Sequence, residues 1–194
     1  MKFDVPQHQR RSIRLQGYDY SQPGFYYLTI CVEGKRPILG RIDERGIELS
    51  NAGKIALREW KLLLNRFCAI RLDAFVVMPN HVHAIIQIEA AVGAGAAQIR
   101  AQQGSWAQQA APLRRPALSE VVRAFKSSSA VAINKRLGTS GPIWQRSYYE
   151  RVIRNEQELF NVREYIAQNP SRWAADGENP SAGPEAELEM PWQL

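Results

Sequence analysis

The sequence is poor in cysteine and has no long apolar run. Its two cysteines, Cys31 and Cys68, lie far apart in apolar surroundings. We therefore expect buried thiols rather than a disulfide framework or a metal set. No apolar stretch approaches the roughly 20 residues that cross a bilayer, and the segment "MKFDVPQHQRRSIRLQ" lacks the apolar core of a signal peptide. These absences predict a cytoplasmic protein without a membrane partner.

Basic side chains are missing from the C-terminal end. Beyond Arg172 the chain has no lysine or arginine but five acidic residues, so residues 1–172 carry 25 basic side chains against 14 acidic ones, a balance of +11. A domain this basic suits a polyanion such as nucleic acid. A solvated basic surface would give the same composition, so charge alone leaves both interpretations open.

Length and composition predict one folded domain with an appendage. A chain of 194 residues can bury a sizeable core. We assign residues 1–172 to that domain and residues 173–194 to an acidic, loosely attached tail. Residues 90–112 are rich in alanine, glutamine and glycine, which favours a flexible insertion.

The order of periodic segments predicts an α+β fold. "FYYLTICV" (25–32) reads as a buried strand, 38–50 as a hairpin, and a capped amphipathic helix begins near Ser50. Two antiparallel strands, "LDAFVVMP" and "HVHAIIQIE", then precede helices over 114–138 and 155–170. We predict a ferredoxin-like antiparallel sheet with helices packed mainly on one face.

Two histidines interrupt the second of those strands. His81 and His83 are two residues apart, so in a strand their side chains project from the same face. Neutral imidazoles at this spacing are suited to chelating one metal ion. A His-x-His pair is also compatible with two hydrogen-bonded histidines that bind nothing, and it leaves a coordination shell incomplete.

The last predicted helix offers further groups. Tyr165 and Asn169 lie four residues apart and hence on one helical face. An amide oxygen is a suitable ligand for Mg²⁺ or Mn²⁺, and a phenol beside such an ion can attack phosphorus. The plainer interpretation is a core tyrosine and an asparagine that ends the helix.

Several segments together resemble one known family. "MPNHVHAII", "FKS", "IWQRSYYERVIRNEQEL" and "REYIAQNP" occur in the order found in the HUH single-tyrosine transposases, and "RRSIRLQGYDYSQPGFYYLTI" is similar to the N-terminal strand region of that family. The resemblance is greatest to the REP-associated tyrosine transposases. It covers roughly residues 10–172.

The resemblance implies a reaction and a site. His81 and His83 would be metal ligands, Asn169 the third ligand and Tyr165 the nucleophile, with Mg²⁺ or Mn²⁺ as cofactor. The enzyme would cleave and rejoin single-stranded or hairpin DNA through a 5′-phosphotyrosine intermediate, acting as a monomer or a homodimer.

Two departures keep alternatives open. Tyr148 and Tyr149 form a second aromatic pair that could supply the nucleophile, and Arg151 stands where relatives often carry histidine. The alternative functions are a catalytically inactive module that binds structured nucleic acid and a rolling-circle-type HUH nuclease.

Interleaved basic and aromatic residues are candidates for DNA contacts, since arginine and lysine hold phosphates and aromatic rings stack on bases. Those candidates are Arg10, Arg11, Arg14, Arg123, Lys126, Trp144, Arg146, Tyr148, Tyr149, Arg151 and Arg154.

Overall fold

A computed structural model of the chain describes residues 17–90 and 115–182. In chain order its elements are β1 (Gly24–Cys31), β2 (Gly40–Asp43), β3 (Gly46–Leu49), α1 (Asn51–Lys61), α2 (Leu63–Arg66), β4 (Ile70–Val77), β5 (His81–Ile88), α3 (Leu118–Leu137), β6 (Tyr149–Ile153) and α4 (Glu156–Gln168). A 3₁₀ segment, Asn169–Ala175, continues directly from α4. Arg10, Arg11, Arg14 and positions 91–112 of the expected insertion lie outside the described residues.

Four strands form one antiparallel sheet in the order β4-β5-β1-β6, while β2 and β3 pair as a separate hairpin. The succession β1, α1, β4, β5, α3, β6 with this strand order is the ferredoxin-like arrangement. The register between β1 and β5 places Cys31 opposite His81 and Thr29 opposite His83. The predicted fold class is therefore confirmed.

The helices divide unequally between the two faces of the sheet. One face packs against α1 and α3, and its core includes Tyr26 and Leu28 of β1. The other face packs against α4, and its smaller core contains Tyr27 of β1 with Val162 and Ile166 of α4. Because side chains alternate along a strand, neighbouring residues of β1 serve different cores.

Side-chain caps fix where two helices begin. The hydroxyl of Ser50 accepts a hydrogen bond from the backbone N–H of Gly53 (3.1 Å) at the start of α1. The side chain of Asn155 accepts one from the N–H of Glu158 (2.8 Å) at the start of α4. Both caps follow from sequence, since Ser and Asn satisfy the unpaired N–H groups of a first turn.

Among the residues that the structure describes, no helix combines the length and the apolar character needed to cross a membrane.

Candidate functional site

Two imidazoles face each other on the α4 side of the sheet. His81 and His83 begin the central strand β5 and are 0% and 2% exposed. Their Nε2 atoms lie 3.0 Å apart. Val82, between them, points into the opposite core. The alternation predicted from sequence therefore places both rings in one buried cleft.

The amide of Asn80 sets the proton position on His81. Its Nδ2 donates to the carbonyls of Lys35 (3.1 Å) and Glu178 (2.6 Å), which identifies its Oδ1 as an acceptor. The Nδ1 of His81 lies 2.8 Å from that oxygen and so carries the proton. The Nε2 of neutral His81 consequently presents a lone pair to the cleft.

Two hydroxyl groups of β1 orient the second histidine. The Nδ1 of His83 lies 2.7 Å from the hydroxyl of Tyr27 and 3.0 Å from that of Thr29. The Tyr27 ring also stacks on the imidazole, with 5.6 Å between the centroids. Hydrogen bonding at Nδ1 leaves the Nε2 of His83 available to a ligand.

Both histidines are held neutral. Burial lowers the pKa of His81 to about 3, and the charge of Lys35 acts in the same direction. Burial also moves the pKa of His83 well below its usual range, with His81 contributing. Neutral imidazole is the form that binds metal ions.

Tyr165 reaches this cleft from α4. Its ring centroid lies 5.4 Å from that of His83 and 6.3 Å from that of Tyr27. Burial raises the pKa of Tyr165, as does the nearby carboxylate of Asp176, while the hydrogen bonds from Asn169 and Tyr27 lower it. The net result is a pKa above the usual value, so the neutral phenol is the favoured form in the structure.

Two buried oxygens in the same region accept no hydrogen bond. Asn169, 3% exposed, donates to Tyr165, but its Oδ1 has no partner. Asp176, 7% exposed, has an unpartnered Oδ2 that lies 3.7 Å from the Nε2 of His81. Leaving a buried acceptor unsatisfied is costly, so each is a candidate for a ligand contact.

These donors fit a divalent cation. One ligand atom each from His81, His83 and Asp176 lie within 4.8 Å of one another. Two ligand atoms at right angles around an ion with bonds of about 2.1 Å lie about 3 Å apart, which matches the separation of the two Nε2 atoms. Nitrogen and carboxylate donors with an added amide oxygen suit an ion that accepts both N and O ligands.

The acidic segment after α4 folds back onto the site. The carboxylate of Glu178 lies 3.1 Å from the Nζ of Lys35, and the ring of Trp173 lies 6.1 Å from that of His81. Residues 173–182 make these specific contacts through charge pairing and the burial of Asp176. The division into a domain over 1–172 and a loosely attached tail over 173–194 stays a prediction.

Sequence reasoning did not identify Tyr27, Thr29, Asn80 or Asp176 as site residues. Asn80 directly precedes His81, which is a local signal for an orienting amide. Asp176 follows Asn169 by two turns of a 3₁₀ continuation, and no periodic pattern marked it.

Five of the predicted DNA contacts line one cleft between α3 and the segment before β6, namely Arg123, Lys126, Trp144, Arg146 and Tyr148. Arg123 and Arg146 are exposed at its rim and Tyr148 is partly buried there, in a volume of about 440 Å³. Lys126 also lines the cleft, but its ammonium donates to the carbonyls of residues 145, 146 and 147. Lys126 therefore braces the segment that carries Arg146.

Trp144 and the candidates outside the cleft have different surroundings. Trp144 is 5% exposed, and its indole N–H donates to the hydroxyl of Ser129 (2.9 Å), so most of its ring is covered although it borders the cleft. Arg151 pairs with Glu158 at 2.7 Å, whereas Arg154 is exposed. Tyr149 lies on the α4 side, 6.1 Å from the ring of Tyr27.

A relative in Haemophilus influenzae shares most of the chain. It is described as an uncharacterized protein and is 34% identical over 180 residues, which are 90% of this chain and 96% of the relative. No family model matches the sequence.

Two solved structures are similar in fold. A REP-associated tyrosine transposase bound to a REP hairpin has a TM-score of 0.50 at 17% identity, covering 91% of this chain and 94% of that one. A candidate transposase from Deinococcus radiodurans has a TM-score of 0.40 at 18% identity, covering 80% of this chain and 95% of that one.

Proposed function

This chain belongs to one family with the Haemophilus influenzae protein and has the fold of a REP-associated tyrosine transposase, and from that premise we propose that it is a metal-dependent DNA nuclease and strand transferase. Its substrate is single-stranded or hairpin DNA. The observation that carries the proposal is the convergence of Tyr165, His81 and His83 with the unpartnered oxygens of Asn169 and Asp176.

Each of these residues has a role that its surroundings support. His81, His83 and Asp176, with Asn169 beside them, would hold Mg²⁺ or Mn²⁺. Such an ion polarises a phosphoryl oxygen and stabilises the negative charge that develops on it. Asn80 holds the lone pair of His81 toward the ion, while Asn169 orients the phenol of Tyr165.

The chemistry follows from the position of the phenol. The phenol of Tyr165 releases its proton to water, and its oxygen forms a bond to phosphorus while the bond between phosphorus and the 3′-oxygen breaks. The 3′-oxygen takes up a proton from water and leaves as a 3′-hydroxyl, so no net proton is gained or lost and the DNA remains linked to the protein as a 5′-phosphotyrosine. Attack by a 3′-hydroxyl on this linkage reverses the step and rejoins a strand.

The basic cleft on α3 supports a single-stranded substrate. Arg123 and Arg146 offer guanidinium groups at its rim, and Tyr148 offers a ring on which a base can stack. The backbone N–H of Gln145 donates to the carbonyl of Cys31, and Cys31 lies opposite His81 in the sheet. The cleft is therefore at the same end of the sheet as the histidines. A strand held there would lead around the β6 edge toward Tyr165.

The test is formation of a covalent adduct. The full chain is incubated with Mn²⁺ and a labelled oligonucleotide that has a hairpin and a single-stranded flank, and the product is separated on a denaturing gel. We expect a labelled adduct with the parent protein and none with Tyr165→Phe, because only the phenol oxygen can form the ester.

Tyr149→Phe is the matched control, since it removes a hydroxyl from the same face of the sheet. Tyr148 packs in the opposite core and is not expected to reach the site. An adduct that persists in Tyr165→Phe but is lost in Tyr149→Phe would assign the nucleophile to Tyr149. DNA binding without any adduct, under Mn²⁺ or Mg²⁺, would show a binding module instead.

A further inference from the structure

Tyr27 is a buried tyrosine of β1 whose hydroxyl lies among the polar groups of the site. It is 2% exposed, and its neighbours in the small core are apolar residues such as Ile85 and Val162. Its ring is within 6.3 Å of the ring of Tyr165, in an edge-to-face arrangement. A hydroxyl in such surroundings needs specific partners.

The Tyr27 hydroxyl has a single proton, so the direction of each of its hydrogen bonds depends on its partners. The Tyr27 oxygen lies 2.7 Å from the Nδ1 of His83 and accepts a hydrogen bond from Thr29 (3.1 Å). The Tyr27 ring lies edge to face against the ring of Tyr165, and hydrogen bonding by Tyr27 lowers the pKa of Tyr165. When the Nε2 of His83 offers its lone pair to a cation, the Nδ1 carries the proton and donates to Tyr27. The single proton of Tyr27 is then directed at the oxygen of Tyr165.

We propose that Tyr27 is a positioning residue that links the metal ligand His83 to the nucleophile Tyr165, an inference that rests on the function proposed above. Its oxygen fixes the orientation and tautomer of the imidazole. Its O–H holds the phenol oxygen of Tyr165 and stabilises that oxygen when it is ionised. Thr29 keeps the Tyr27 proton pointing to Tyr165 by occupying an acceptor position on the Tyr27 oxygen.

Removing one hydroxyl therefore has two separate effects. In Tyr27→Phe the Nδ1 of His83 loses an acceptor, and loss of such a partner typically weakens metal affinity about 10- to 100-fold. The phenolate of Tyr165 also loses a hydrogen bond to a charged group, which corresponds to a rate reduction of about 10- to 100-fold. The reduction in rate persists at saturating metal. The loss of metal affinity has no effect once the site is saturated.

The experiment measures the two effects independently on the full chain. Isothermal titration calorimetry gives the Mn²⁺ dissociation constant, and single-turnover adduct formation at saturating Mn²⁺ gives the rate. Tyr26→Phe is the matched control, because Tyr26 is the adjacent buried tyrosine whose hydroxyl donates to the carbonyl of Gln22 in the opposite core. Circular dichroism confirms that each variant is folded.

We expect weaker Mn²⁺ binding and a slower rate in Tyr27→Phe, and parent values of both in Tyr26→Phe. Thr29→Val should reduce the rate, and Thr29→Ser, which keeps the hydroxyl, should restore it. Parent affinity and parent rate in Tyr27→Phe would overturn the inference.

Failure of the proposed function is a different result. If the parent forms no adduct, or Tyr165→Phe still forms one, the assignment of Tyr165 fails. The calorimetric comparison of Tyr27→Phe with Tyr26→Phe then decides the link to His83 alone: weaker Mn²⁺ binding supports it, and equal binding overturns it.

Discussion

At the scale of single residues, the site depends on keeping two imidazoles out of water. An imidazole in water protonates near pH 6.5, which turns a metal ligand into a cation. Burial lowers the pKa of His81 to about 3 and that of His83 in the same direction. The two proposed ligands are therefore already in the neutral form that binds a cation, and the free energy of folding keeps them so.

Holding both histidines neutral makes stability depend on pH. Because the folded pKa of each histidine lies below its unfolded value, the unfolded chain binds more protons below about pH 6.5. The free energy of unfolding should be highest above that pH and fall by about 1.4 kcal/mol per histidine from pH 7.5 to 5.5. Urea denaturation in the presence of a chelator measures it.

The double variant His81→Gln/His83→Gln is the reference for this prediction. Its free energy of unfolding should change much less over the same interval, and an equal slope in both proteins would contradict the assignment. Burial raises the pKa of Asp176, which has the opposite effect on stability as the pH falls. Measurements that stop at pH 5.5 keep that contribution small.

At the scale of elements, α3 and the segment before β6 form the surface that we propose for DNA. The cleft that they share is lined by Arg123, Lys126 and Arg146 without an acidic residue. Phosphate neutralisation with counterion release makes such binding depend on salt. The guanidinium groups, rather than the braced ammonium of Lys126, are the groups exposed to a phosphate.

The double variant Arg123→Ala/Arg146→Ala should bind single-stranded DNA more weakly and show a shallower salt dependence. Removing two phosphate contacts lowers the slope of log affinity against log salt by about 1.4, at about 0.7 for each contact on single strands. Fluorescence anisotropy of a labelled oligonucleotide over a salt series gives both quantities, with metal absent so that no cleavage intervenes.

A second double variant, which removes the same number of positive charges outside the cleft, provides the comparison for DNA affinity and salt dependence. Lys135→Ala/Arg136→Ala removes two exposed cations from the C-terminal end of α3. If it changes affinity and slope as much as the cleft variant does, the binding is a property of net charge and not of the cleft.

Much of this arrangement follows from local sequence patterns. The cap at Asn155, the spacing of Tyr165 and Asn169 on one helical face, and the alternation through His81 and His83 are all short-range features that the structure reproduces. Each depends on residues within four positions of one another, which is the range over which periodicity and capping act.

Tertiary contacts determined the rest. Tyr27 meets His83 only through the register between β1 and β5, and Asp176 reaches His81 only because the 3₁₀ segment turns back on the sheet. Trp144 was predicted as a candidate for a DNA contact, but it is 5% exposed, Ser129 accepts from its indole N–H and Phe125 packs against its ring. Because these contacts join residues far apart in the sequence, local patterns cannot predict them.

At the scale of the whole molecule, the acidic C-terminal segment and the basic domain meet at the candidate site. Asp176 brings a carboxylate to the histidines from beyond α4. A cation bound there would link β5 to the segment that follows α4. A ligand that binds only the folded state stabilises it by about 2.7 kcal/mol at a hundred times its dissociation constant.

Mn²⁺ should therefore raise the melting temperature of the parent protein, and Asp176→Asn should reduce that rise because a neutral amide replaces a charged ligand. Differential scanning calorimetry with and without Mn²⁺ measures the shift. Asp43→Asn, at an exposed position of the β2–β3 hairpin, is the control and should keep the full shift. An undiminished shift in Asp176→Asn would remove this carboxylate from the ligand set.

The pairing of β1 with β5 also limits how this chain can change during evolution. His81 lies opposite Cys31 and His83 opposite Thr29, and successive side chains of β5 alternate between the two cores. An inherited deletion of one codon at Val82 would send one imidazole of the pair toward Trp60 and Phe125 in the larger core. Codon gains and losses inside β5 should therefore be removed by selection.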